Sequence, residues 1–148
     1  MVQDRIEREV VIAAAPERVW EIITQAEHVG KWFGDSAEID LRPGGTIVLR
    51  WDKYGTRYAT IEKIDKPRCF SYRWSPGVAD TMPSSGDSTL VEFTLTPHEG
   101  QTRLRVVETG FGSLSRSDAE RAEQFENNTE GWGIQLRSVQ EYVDGFAA

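Results

Sequence analysis

Cysteine is almost missing from this sequence, in which Cys69 stands alone. No internal disulfide can form, so the fold must be held by its core, in keeping with a reducing compartment. Positive charge is also in deficit: Lys and Arg total 17 against 24 Asp and Glu, a formal net charge of -7. No basic stripe interrupts that balance, which excludes a nucleic-acid binder working by phosphate neutralisation. No apolar run approaches the roughly 18 residues of a membrane-spanning helix, and the opening MVQDRIERE lacks the apolar stretch of a secretion signal. A cytoplasmic protein without a membrane span is expected.

Catalytic residue types are equally sparse. The two histidines, His28 and His98, fall in segments expected at the surface, with no cysteine nearby and no Gly-x-Ser-x-Gly elbow, so no hydrolytic triad is legible. No His/Cys/Asp/Glu cluster has zinc-ligand spacing, and Cys69 by itself cannot build a thiolate site. Neither a metal nor a cofactor is expected. Pro43-Gly44-Gly45 lacks the lysine and following helix of a phosphate loop and reads as a hairpin turn. The Asn127-Asn128-Thr129 sequon reads as chance in a reducing setting.

What the sequence does hold is periodicity. Its 148 residues suit one domain, 1–148, which can bury about two-thirds of the surface its unfolded chain exposes, enough for a core and a cavity. Arg5 to Ile12 reads as a strand with Ile6, Val10 and Ile12 on one parity. Pro16 then opens a helix to about Thr24 that carries Val19, Trp20, Ile22 and Ile23, and a second short helix, about Glu27 to Trp32, ends near Gly34. From there turn signals recur at short intervals, the mark of consecutive antiparallel strands. Ile47, Leu49 and Trp51 alternate in one strand; another runs from about Thr56 to Ile64. Phe70, Tyr72 and Trp74 share one side of the next, followed by a loop, Ser75 to Asp87, with the composition of a mobile rim. Val91, Phe93 and Leu95, then Leu104 and Val106, complete the pattern.

The last segment is a long helix with Gly131-Trp132-Gly133 at its middle. Phe125, Thr129, Trp132, Leu136, Val139, Val143 and Phe146 follow one another by steps of four and three, a single face made to be covered. Two helix-interior glycines cost roughly 1 kcal/mol each relative to alanine. Either the helix packs closely on a sheet there, or the glycines hollow a pocket beside Trp132. Ser117 and Glu120 form a capping box at its start. The acids that follow read as a solvated face or as a docking surface for a basic partner.

Several segments together carry a resemblance. Ala15-Pro16-Glu17-Arg18-Val19-Trp20-Glu21-Ile22-Ile23-Thr24, then Lys31-Trp32-Phe33-Gly34, Pro67 to Trp74, the strand ending Thr109-Gly110-Phe111, and Gly131-Trp132 with Leu136 and Tyr142 resemble the SRPBCC (START-like) superfamily. The branch is that of the C-terminal domain of the activator of heat shock protein 90 ATPase. The resemblance covers nearly the whole chain and implies an α+β helix-grip fold: a curved antiparallel sheet wrapped around the C-terminal helix, with two short helices after the first strand. Relatives often enclose an apolar cavity between sheet and helix. Cys69 stands where the family often has a larger aliphatic side chain.

Three functions are compatible with that fold. The first is binding of a small, mainly apolar molecule in the cavity without catalysis. The lining expected from inward parity or helix face is Trp20, Trp51, Tyr72, Trp74, Phe93, Glu108, Trp132 and Leu136, though each aromatic serves equally as plain core. The second is a co-chaperone-like role with a chaperone as partner, although the eukaryotic activator carries an additional N-terminal domain that these residues do not include. The third is an enzyme resembling cyclases and aromatases of the superfamily. Glu108 is its candidate acid: it continues the parity of Leu104 and Val106 and either meets a ligand, reaches solvent or pairs with an arginine.

Overall fold

Alternation of large apolar with polar side chains produces seven strands among the described residues: β1 (Arg5–Ile12), β2 (Ser36–Ile39), β3 (Thr46–Trp51), β4 (Gly55–Asp65), β5 (Cys69–Trp74), β6 (Thr89–His98) and β7 (Gln101–Thr109). The computed structural model describes residues 4–53, 55–75, 83 and 87–145. Most of the expected rim loop, Ser75 to Asp87, and Phe146 lie outside them. The strands form one antiparallel sheet in the order β1-β7-β6-β5-β4-β3-β2. Helices α1 (Pro16–Thr24) and α2 (Ala26–Trp32) follow β1, and α3 (Asp118–Asp144) closes the chain. This is the α+β helix-grip fold, a curved antiparallel sheet around the long C-terminal helix.

The sheet's inner face is apolar because side chains alternate along each strand. Phe70, Tyr72 and Trp74 of β5, Val91, Phe93 and Leu95 of β6, and Leu104 and Val106 of β7 are all buried there. β4 departs from simple alternation. A bulge between Ile61 and Lys63 places two successive residues outward, so Ile61 and Ile64, three apart, both pair with inner-face residues, Tyr72 and Phe70. The outer face carries cross-strand ion pairs instead, such as Arg105–Glu7 at 2.6 Å and Arg73–Glu62 at 2.8 Å. β2, for which the sequence offers only four residues of mixed exposure, is an edge strand recruited by β3. Gly30 of α2 lies against it, where a Cβ would meet Ser36 Cα at 3.2 Å.

Helix α3 begins at the Ser117–Glu120 capping box, both halves of which form. Its buried side chains are Trp132, Leu136, Val139 and Val143, with Phe125 partly buried. Burying each such side chain contributes about 1.5–3 kcal/mol. The total outweighs the roughly 1 kcal/mol cost of each glycine, so packing decides this helix. Polar ties hold it in place: Gln140 Nε2 donates to Val11 O at 3.0 Å, Ser138 Oγ to Trp32 O at 3.0 Å, and Tyr142 Oη lies 2.7 Å from His28 Nδ1. Among the described residues no helix is long and apolar enough to cross a membrane.

Candidate ligand-binding site

Four aromatic side chains from four elements meet at one end of the grip. Phe33 follows α2, Trp51 ends β3, Trp74 ends β5 and Trp132 lies on α3. Phe33 is central, with ring centroids 5.5 Å from Trp51, 6.0 Å from Trp74 and 5.7 Å from Trp132. Trp74 and Trp132 are themselves 6.0 Å apart, and all these separations fall in the attractive range for offset or edge-on rings.

Among the described residues, these rings, Arg57 of β4 and one stripe of α3 line an open cleft of about 690 Å³. That volume is in the range of roughly 300–1,000 Å³ usual for small-molecule sites. Arg57 pairs with Leu49 in the β3–β4 register and precedes Ala59 by two residues. Leu49 and Ala59 are buried, so Arg57 shares their inner face. The α3 stripe is Gln124, Asn127, Asn128, Gly131, Ile134 and Gln135, spaced by helical steps beside the apolar stripe.

Gly131 sits midway along that stripe. Beyond its own helical turn, a Cβ at Gly131 or at Gly133 would meet no atom of the described residues within 4 Å. Close packing of the helix on the described sheet is therefore not the reason for either glycine. Gly131 opens onto the cleft; Gly133 is not among its lining residues.

Directly behind the aromatic wall lies Glu108, with 0 % of its surface exposed. Trp74 Nε1 donates to its Oε2 at 2.8 Å, and Thr89 Oγ1 donates to the same oxygen at 2.5 Å. Trp132 Nε1 at 2.8 Å and Asn128 Nδ2 at 2.9 Å donate to Oε1. Asn128 is in turn oriented by Gln124, whose Nε2 donates to Asn128 Oδ1 at 2.7 Å. The expected alternatives of a solvated Glu108 or an arginine pair are both replaced: its partners are neutral donors. Indole and amide nitrogens can only donate, so both oxygens are held as acceptors. The carboxyl thereby fixes the planes of two tryptophans that wall the cleft.

Deeper in the grip, a gap of about 20 Å³ lies among side chains that include Trp32, Phe70, Tyr72 and Phe93. Tyr72 is buried there, and its hydroxyl has no hydrogen-bond partner among the described residues. Burial, and secondarily the negative charge of Glu108, push its phenol well above the usual tyrosine range.

The expected lining residues thus separate into groups. Trp51, Trp74 and Trp132 line the cleft. Tyr72 and Phe93 border the small inner gap. Trp20 packs edge-on against Phe70 at 6.1 Å, and Leu136 is buried under α3; neither borders either space. Glu108 stands behind the wall. Phe33, Arg57 and the amide stripe were not singled out from sequence. Arg57 was legible from its parity with Ala59 and Ile61, and Gln124, Asn128, Gly131 and Gln135 from their helical spacing. Among the described residues no group of three or more His, Cys, Asp or Glu is placed to hold a metal ion.

Comparison with known proteins adds a lineage to this geometry. Residues 13–144 match the family described as Activator of Hsp90 ATPase homolog 1-like protein. No curated protein matches the chain significantly. Among solved structures, protein MLL2253 from Mesorhizobium loti is similar with a TM-score of 0.77 at 24 % identity, over 95 % of this chain and 96 % of that one. The Aha1 dimer from Colwellia psychrerythraea gives a TM-score of 0.76 at 20 % identity, over 95 % and 96 %. DynU16, a putative protein in the dynemicin biosynthetic locus, gives 0.75 at 21 %, covering 96 % of this chain and 48 % of that one. At these identities the likenesses establish the fold alone.

Proposed function

The chain belongs to the family described as Activator of Hsp90 ATPase homolog 1-like protein, and on that premise we propose that it binds a small, mainly apolar molecule without transforming it. The observation that carries this reading is the cleft of about 690 Å³ walled by Phe33, Trp51, Trp74 and Trp132. Rigid aromatic walls supply contact area at low entropic cost, and Gly131 supplies room. The binding place is the mouth of the grip between β3, β5 and α3, rather than the gap of about 20 Å³ deeper inside. Glu108 acts as a structural anchor in this reading, since both of its oxygens are occupied and two indoles stand in front of it. The lone Cys69 fits action in a reducing, cytoplasmic setting.

The test is titration with N-phenyl-1-naphthylamine, a neutral apolar probe, followed by quenching of tryptophan fluorescence. Saturable quenching is expected, and Gly131→Leu should abolish it while the thermal midpoint is held. Absence of saturable binding to the wild-type protein would sink the proposal.

A second reading, favoured by the family description, is a chaperone partner of the heat shock protein 90 type. Affinity capture with the purified chaperone, together with its ATPase rate, separates the two readings. Failure of both capture and stimulation would remove this second option.

A further inference from the structure

We infer that the body of the ligand lies in the cleft while its tip, a neutral carbonyl group, passes Phe33 and accepts a hydrogen bond from the Tyr72 hydroxyl. This inference rests on the binding reading above and names the functional group of its ligand. It starts from Phe33, whose side chain borders both the cleft and the gap of about 20 Å³ behind it. One ring is therefore a partition between the two spaces. The step across it is short. Trp74 lines the cleft and Tyr72 the gap, and the two stand two residues apart on β5, about 7 Å along the strand. A flat molecule seated against Trp74 spans that distance with a few bonds.

Phe33 is placed to yield. It follows the last residue of α2 with an extended backbone, φ -133° and ψ 91°, so its side chain hangs where the chain leaves the helix. The open cleft of about 690 Å³ lies on one side of its ring and close-packed side chains lie on the other. Displacement towards the cleft is the direction that disturbs packing least.

Behind the partition one polar group stands uncommitted. Trp32 and Tyr72 both border the gap and carry polar atoms. Trp32 Nε1 donates to Ile22 O at 2.9 Å. The Tyr72 hydroxyl, on a residue only 3 % exposed, has no partner among the described residues. Leaving a buried hydroxyl unmatched is unfavourable, and an acceptor brought by a ligand recovers that loss. The gap admits one group about the size of a water molecule, which suits a carbonyl oxygen. Charge narrows the choice further. Burial, with the negative charge of Glu108, keeps the phenol protonated, and the same surroundings disfavour an anion beside it. A hydroxyl tip would bring a proton of its own among Ile23, Val29, Ile47 and Leu49, whereas a carbonyl oxygen only accepts.

A pair of competitors of matched shape tests this. 2-Acetylnaphthalene and 2-isopropenylnaphthalene differ in whether the tip is an oxygen or a methylene. Each is titrated against bound N-phenyl-1-naphthylamine, so that occupancy of the cleft is what is read. Tyr72→Phe should weaken the ketone about three- to tenfold, the scale of one hydrogen bond, and leave the alkene equal or tighter. Infrared difference spectra of the ketone labelled with carbon-13 at its carbonyl supply a signature independent of affinity. On the wild-type protein the carbonyl stretch should lie below its value in cyclohexane, and on Tyr72→Phe it should return to that value. A wild-type stretch at the cyclohexane value overturns the carbonyl inference without recourse to any variant. So does a lowered stretch that survives in Tyr72→Phe, as a bound water would give, or a variant that weakens both competitors alike, or a ketone that fails to displace the probe. Each of these leaves the binding reading standing. Failure of N-phenyl-1-naphthylamine itself to bind saturably overturns both.

Discussion

Glu108 carries the largest consequence of any single side chain. A buried carboxylate with no cation among its partners is costly unless every lone pair it presents is engaged, and here two indoles, a hydroxyl and an amide engage it. Glu108→Ala strands those donors in the interior and is expected to cost about 3 kcal/mol or more, on the scale of breaking a buried charged network. Glu108→Gln keeps one acceptor oxygen but turns an NH₂ group towards two of the donors, for a loss of about 1–2 kcal/mol. Urea midpoints measure both, and an alanine variant as stable as the wild type would show that the network is not formed. Tyr72 offers a pH test. Its folded pKa lies well above that of the unfolded chain, so the contribution is fully present below the ordinary tyrosine pKa of about 10 and declines as pH rises beyond it, by at most about 1.4 kcal/mol per pH unit. Phenolate absorbance should show one tyrosine that ionises only on unfolding; Tyr72→Phe should remove that part of the alkaline decline. A Tyr72 that titrates normally in the folded protein contradicts its burial.

Helix α3 is the element in which two demands conflict. Its amphipathic face was legible from Phe125, Trp132, Leu136, Val139 and Val143, and those residues are the ones the sheet covers or partly covers. The reason for its glycines was not legible, because periodicity tells which side a residue faces and not how far away the opposing surface lies. Open space beside both positions separates their roles. Gly133→Ala should raise stability by about 0.5–1 kcal/mol, the propensity gain alone, without altering probe binding. Gly131→Leu should leave stability equal or higher and remove binding, because its side chain enters the cleft. Thermal melts beside probe titrations distinguish the pair. A large destabilisation by either substitution would restore the close-packing explanation. β2 shows a related limit: four residues of mixed exposure carry little pattern of their own and become a strand because β3 offers an unpaired edge.

For the whole molecule, the aromatic wealth of the sequence divides between the buried interior of the grip and its open mouth. Trp20, Tyr72 and Phe93 serve the interior, where a gap of about 20 Å³ remains, whereas Trp51, Trp74 and Trp132 serve the cleft. Parity could not divide them, since all point to the same side of the sheet or helix. Position along the curved sheet decides, and curvature is a property of the assembled strands. Arg57 makes the same point in reverse. Its inward parity was present in Arg57, Ala59 and Ile61, yet that it borders the cleft and not the packed interior follows only from where the assembled strands place it.

The sequence by itself determined the element order, the inner faces of the strands, the covered face of α3 and its capped start, because each follows from periodicity and local hydrogen bonding within a few residues. Only the tertiary structure decided the partners of Glu108, which lie 19 to 34 residues away in sequence, and the placing of the open space at the mouth of the grip. Those depend on how far apart separate elements come to rest, a distance set jointly by sheet curvature and side-chain packing.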